Sequence, residues 1–265
     1  MDKPDTDDVF FPKTPETQKT DMKRMKWLIY GPPGIGKSTF ISQANDVLFL
    51  TTDGGLKFIN SMHRPVPNWL TFKKYVKALT VERPKQYKAV AIDIVDSVFK
   101  MCRKYVCDKR GIEHQSDEPY GKAFDLTSSE FEMELEKIIG LDMYGLFLVS
   151  HSVEKEIKTR MSTMSKTFPT MPAQVYKIIH PMLDIMAYYG FDGKLDADGE
   201  MGRRMYFQPT ENMEAKDRSG CLPESLTIPN PKKYNGFELI EKYLLGDSAV
   251  KNGKNNNKKI IFRKK

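Results

Sequence analysis

Short runs of almost unbroken apolar character punctuate the first 150 residues, at 27–30, 47–50, 69–72, 89–92 and 146–149. Runs of this length with no polar alternation predict strands buried on both faces. Between them the apolar positions change to helical spacing. Val98, Met101, Cys102, Tyr105 and Val106 predict a helix over 97–110, and a second amphipathic stretch predicts one over 126–141. The run at 69–72 is read as a third strand feeding a helix through Leu79. Buried strands alternating with helices predict an α/β fold with a doubly wound, mainly parallel sheet. Ligands of such sheets sit at the carboxyl ends of the strands. That rim collects residues 31–38, Asp53, Asp93 and His151, far apart in sequence.

The second half is less regular. Residues 155–168 are polar, carry no core stripe and are read as a loop or a hairpin. Val175, Ile178, Ile179, Met182, Leu183, Ile185 and Met186 predict a helix over 173–189, kinked at Pro181. Residues 192–208 predict a hairpin around Asp196-Ala197-Asp198-Gly199, with 203–207 as the return strand. Lys216-Asp217-Arg218-Ser219-Gly220 is read as a loop and 237–245 as a last short helix. Three segments follow: a flexible lead-in over 1–20, a core over 21–246, and a disordered Asn/Lys/Gly-rich tail over 247–265.

Charge changes little in this picture. Of 42 Lys and Arg against 35 Asp and Glu, seven cations lie in 251–265, which holds no acid. The body is therefore neutral, and the net charge of +7 belongs to the tail rather than to a basic nucleic-acid face. No apolar run approaches the ~20 residues of a membrane span, the start of the chain lacks the features of a secretory signal, and three cysteines make neither a disulfide framework nor a zinc site. A reducing cytoplasm is the expected location, with no membrane partner.

The chemistry concentrates after the first apolar run. Gly31-Pro32-Pro33-Gly34-Ile35-Gly36-Lys37-Ser38-Thr39 satisfies the G-x-x-x-x-G-K-[ST] phosphate-loop pattern, with a strand predicted before it and a helix after. Glycines let successive backbone N–H groups face one concavity. In such loops the lysine, here Lys37, reaches the β- and γ-phosphates and the hydroxyl, here Ser38, holds Mg²⁺. The expected ligands are ATP and Mg²⁺. Asp93 ends a buried strand, where a carboxylate holds Mg²⁺ or caps a helix; Asp96, just before Ser97, is the better cap. Asp53, followed by two glycines, either orients a water or makes an Asp-Gly turn. His151 senses a γ-phosphate or packs at a strand end. Lys216 and Arg218 are either two cations reaching one phosphate or solvated loop charges.

Together these motifs resemble RecA-like ATPases reduced to the core, especially the phage-encoded ATP-binding single-strand annealing recombinases. The resemblance rests on the phosphate loop, Phe49-Leu50-Thr51-Thr52-Asp53-Gly54-Gly55, Ala91-Ile92-Asp93, Val149-Ser150-His151 and Lys216-Asp217-Arg218-Ser219-Gly220. It implies that Asp53, where Glu is usual, polarises the attacking water, and that His151 senses the γ-phosphate. It implies that Lys216 and Arg218 act on the ATP of a neighbouring subunit in a ring or filament, and that the segment 154–171, with Lys155, Lys158, Arg160 and Lys166, touches single-stranded DNA. It also implies contact with a single-strand binding protein and a host-cytoplasmic setting. Three other readings compete. An AAA+ remodelling or loading ATPase would want a helical lid after the core. A nucleotide or small-molecule kinase would need an acceptor pocket. An ATP-gated module would hydrolyse little.

Overall fold

The structure, a computed structural model, describes residues 21–141, 144–158, 163–195 and 199–246. The expected flexible segment 1–20, the basic tail, Arg160 and the turn residues Asp196, Ala197 and Asp198 lie outside the described residues.

The strands are β1 (Lys26–Gly31), β2 (Val47–Thr51), β3 (Met62–Pro65), β4 (Ala89–Asp93), β5 (Gly145–Lys158), β6 (Thr163–Pro169), β7 (Ile185–Leu195), β8 (Met201–Tyr206), β9 (Lys216–Asp217) and β10 (Ser225–Ile228). The helices are α1 (Lys37–Ile41), α2 (Trp69–Glu82), α3 (Val95–Arg110), α4 (Lys122–Ile139), α5 (Ala173–Met182) and α6 (Gly236–Leu244). The main sheet runs β10-β8-β7-β1-β5-β4-β2-β3. Every pair from β7 to β3 is parallel, and β8 and β10 close that edge antiparallel. The α/β class, the doubly wound and mainly parallel sheet, and the late hairpin (β7–β8) are as expected.

The unbroken apolar runs have a direct cause. In β1, Trp27 and Ile29 face a core beneath α1 and α6, whereas Leu28 and Tyr30 face a second core beneath α2, α3, α4 and α5. Both faces are covered, so neither tolerates a polar position. Each of these side chains is fully buried and contributes roughly 1.5–3 kcal/mol. At the end of β1, Gly31 has no room for a side chain: a Cβ there would lie 1.9 Å from the Tyr189 carbonyl oxygen of β7.

Four expectations on elements are corrected, the smallest being Lys216–Asp217, read as loop and found as strand β9 paired with β7. Trp69–Phe72 is not a strand but the first turn of α2. Asn68 caps it, its side chain accepting from Thr71 N at 2.9 Å, and Trp69, Phe72, Val76 and Leu79 form one buried stripe. The strand in that stretch is β3 instead. The expected helix over 173–189 stops at Met182. Pro181 falls in its last turn, Leu183 is extended, and Ile185 begins β7 alongside β1. Asp96 is not a cap; it lies buried in the first turn of α3, behind Ile94 at the cap position. The segment left open as loop or hairpin is a hairpin: β5 runs on past the sheet and pairs antiparallel with β6, Ser152 with Pro169 through Lys158 with Thr163. Among the described residues no helix is long and apolar enough to cross a membrane.

Candidate nucleotide site

Every parallel strand ends on one rim, and a cleft of about 950 Å³ opens there. It is lined by residues 33–39 of the phosphate loop and by Asp53, Asp93 and His151, so the rim predicted from sequence is assembled as expected. Gly31 and Pro32 stand behind this lining and contribute backbone oxygens.

The loop takes its shape from two left-handed glycines, Gly34 at φ 77° and Gly36 at φ 104°. Either position strains an L side chain. The helix that follows is short: α1 spans five residues and passes into a 3-10 turn at Ser42–Ala44. Lys37 curls back over the loop, and its Nζ donates to the carbonyl oxygens of Gly31 at 2.8 Å and Pro32 at 3.0 Å. Burial of this ammonium lowers its pKa from 10.5 to about 8, against the raising influence of Asp93 and Asp96. A buried cation held by neutral carbonyls gains most from an anion, because the anion restores the lost solvation.

Ser38 Oγ donates to Asp93 Oδ2 at 2.6 Å. Asp93 is 4% exposed, and burial pushes its carboxyl above the ordinary carboxylate range. Thr52 N donates to Asp93 O at 2.7 Å and Ile94 N to Thr52 Oγ1 at 3.2 Å, which fixes the ends of β2 and β4 together. A hydroxyl beside a buried carboxylate is a pair of hard oxygen donors suited to Mg²⁺, leaving its other positions to phosphate and water.

Asp53 follows β2. Its Oδ1 accepts from Gly55 N at 3.0 Å, so the Asp-Gly turn exists, and the same carboxylate also lines the cleft. The turn is what aims it. His151 stands opposite Gly31 in the β1–β5 register. Burial and the nearby Lys37 hold its pKa below the usual value, so it is neutral at pH 7. Its Nδ1 is buried with no partner among the described residues.

Lys216 and Arg218 are elsewhere. Lys216 Nζ donates to His180 O at 2.7 Å and Arg218 Nη2 to Pro181 O at 3.0 Å, at the carboxyl end of α5. Met186 pairs with Lys216 at the start of β7, so both cations lie at the rim opposite the loop of their own chain.

Sequence reasoning missed a further wall of the cleft, Arg203, Asn230, Pro231 and Lys232, as well as the lining residues Phe58 and Asn60. Arg203 Nε donates to Ile35 O at 3.2 Å, and a Cβ on Gly36 would meet Pro231 Cγ at 2.8 Å. The only signal was the pair of prolines around Asn230.

A match to the AAA domain family spans residues 23–219, most of the chain, and includes the loop, Asp53, Asp93 and His151. The chain belongs to the AAA domain family. The P-loop class read from the loop is that of an ATPase-type domain, and the family implies use of a nucleotide. The SPbeta prophage-derived uncharacterized protein YorG of Bacillus subtilis (strain 168) is 26% identical over 233 residues, covering 84% of this chain and 68% of that one. The crystal structure of the RadB recombinase superposes with a TM-score of 0.43 at 13% identity, covering 74% of this chain and 91% of that one.

One consequence of the AAA loop's electrostatics is measurable. With Lys37 near pKa 8 before binding and raised once phosphates surround it, the free loop loses its proton above pH 8 while the bound loop keeps it. Affinity for a non-hydrolysable ATP analogue is then expected to be level up to about pH 7, to fall about twofold by pH 8, and to approach a tenfold loss per pH unit above about pH 9, one proton being linked to binding. Calorimetric titration over pH 7–9.5 checks it, with Lys37→Arg as a control whose charge persists. A level wild-type profile contradicts the assignment.

Proposed function

We propose that this protein is a Mg²⁺-dependent ATPase of RecA-like type, encoded by a phage, that binds or anneals single-stranded DNA in recombination or replication. In the cleft, the loop backbone and Lys37 hold the β- and γ-phosphates. Ser38, with Asp93, holds Mg²⁺, which neutralises phosphate charge. Asp53 orients the water for attack. His151, beside the γ-phosphate position, donates a hydrogen bond to it. The prophage origin of the YorG relative supports the phage setting.

The observation that carries the DNA reading is the two-faced hairpin that continues from the strand bearing His151. Alternation puts Val153, Lys155, Ile157, Met164, Lys166 and Phe168 on one face and Glu154 and Glu156 on the other. Lys155 and Lys166 are direct cross-strand partners, an arrangement of like charges that costs stability. Both ammonium groups sit over the Phe168 ring, at 5.7 and 5.9 Å, and Lys166 also pairs with Glu214 at 2.8 Å. Cations around an aromatic ring suit a phosphate backbone with stacked bases. A multi-helix lid of the kind wanted by a remodelling ATPase is not among the described residues; after β7 they run through β8, β9 and β10 to the single short helix α6.

The deciding experiment measures ATP turnover with and without single-stranded DNA, together with particle size. Turnover stimulated by DNA in an oligomer is expected, and DNA-independent turnover by a monomer overturns the reading. Two variants refine it. Phe168→Ala should weaken single-strand binding by about 1–3 kcal/mol, the usual value of one stacked base, and Lys155→Ala should flatten the salt slope by about 0.7, the share of one phosphate contact. Affinity and slope unchanged in both variants would remove the hairpin from the DNA path. Asp53→Asn should bind ATP as the wild type does and hydrolyse it about 10²–10⁴-fold more slowly, the range for a lost general base. Unchanged turnover would leave Asp53 only its turn.

A further inference from the structure

We infer that Asp96 is a positioning residue whose carboxylate ties the cleft end of β5 to the base of the β5–β6 hairpin, coupling the state of the cleft to the hairpin. It rests on the reading of the loop as a nucleotide site and not on the reading of the hairpin as a DNA contact.

Asp96 is 7% exposed and lies three residues beyond Asp93, with Ile94 of the cleft wall between them. Its Oδ2 accepts from Ser150 Oγ at 2.8 Å and from Thr170 Oγ1 at 3.3 Å. Ser150 directly precedes His151, and Thr170 directly follows β6. A backbone bond closes the ring: Thr170 N donates to His151 O at 2.9 Å. Displacement of His151 toward or away from a phosphate therefore pulls on both ends of the hairpin base. A rigid polar cluster transmits such a shift where loosely packed apolar groups would absorb it.

The cluster is also costly. Asp96 Oδ1 is buried and has no partner among the described residues. An unsatisfied buried carboxylate oxygen is a poor way to stabilise the first turn of a helix. A role in stability alone would be served better by an exposed acid at the same turn.

The test is hydrogen–deuterium exchange on the full chain, following peptides over 152–158 and 163–170, with and without a saturating non-hydrolysable ATP analogue and Mg²⁺. In the wild type, binding should change exchange in the hairpin at least about fivefold, the lower end of ordinary coupling. Asp96→Asn should bind the analogue within about threefold of wild type and show a hairpin response below twofold. Thr170→Val, which keeps the carboxylate and the volume while removing one hydroxyl, should also reduce the response; it decides the matter if Asp96→Asn does not fold. A lowered Tm with the response intact in both variants means that Asp96 is structural only, and overturns the inference. A wild-type hairpin indifferent to bound analogue overturns it too. Absence of analogue binding in the wild type, read from the accompanying titration, marks instead the failure of the nucleotide reading and takes the inference with it.

Discussion

Lys37→Ala should lose ATP turnover and nearly all affinity for the nucleotide, without loss of fold. The ammonium is buried, curled over the loop and held by two carbonyl oxygens, so it stands where phosphates would enter. Hydrogen bonds to charged groups contribute about 1.5–3 kcal/mol each. Losing two of them, one to each of the β- and γ-phosphates, lowers affinity by about 10²–10⁴-fold. Stability should move the other way. Because burial has pushed the Lys37 pKa down to about 8, the folded chain carries this charge at pH 7 at a cost that the unfolded chain avoids. Removing it should leave Tm unchanged or raised in nucleotide-free protein, although a small cavity offsets part of the gain. Nucleotide titration, turnover and thermal melts on the one variant check all three. Retained turnover would remove the loop from the chemistry.

The sequence made the rim of this site legible and concealed a further wall of its cleft, for a physical reason. Residues 27–30, 47–50 and 89–92 are buried on both faces, which leaves apolar runs too short for a helix, and a glycine-bearing turn follows the first two. Trp69–Phe72 misled because Trp69 and Phe72 belong to a helical stripe continued by Val76 and Leu79, and the deciding residue, Asn68, lay just outside the run. The run at 185–189 misled in the opposite sense: it continues the apolar spacing of α5 without a break in hydrophobicity, and only Pro181 marks the end. Arg203 was legible as the start of a return strand but not as part of the cleft, since its approach to Ile35, like that of Pro231 to Gly36, depends on β7 pairing with β1 in a stretch that reads as helix. Asp96 shows the limit for a single residue. Its position before Ser97 reads as a cap, whereas its partners come from Ser150 and Thr170, more than fifty residues away.

A double variant, Lys216→Ala with Arg218→Ala, should bind ATP normally and hydrolyse it about 10³–10⁵-fold more slowly, the range observed where a cation is delivered to the developing phosphate charge. The placement of the pair motivates an action between subunits. Both cations stand at the start of β7, the rim opposite their own phosphate loop, so neither reaches its own cleft. The Arg218 side chain is 55% exposed and is held by its hydrogen bond to Pro181 O at 3.0 Å and a 4.0 Å approach to Asp184, contacts it would exchange to reach a neighbour. The alternative is local: two cations at the carboxyl end of α5 satisfy its last carbonyls and answer its dipole, which contributes about 0.3–1 kcal/mol each. Stability separates the two roles poorly, and mixing separates them well. Lys37→Ala protomers keep their cations and lack a working cleft; the double variant keeps its cleft and lacks the cations. Combined, they should recover turnover that neither has alone, with a maximum at an intermediate ratio. No recovery at any ratio, with assembly confirmed by particle size, would confine Lys216 and Arg218 to holding the end of α5.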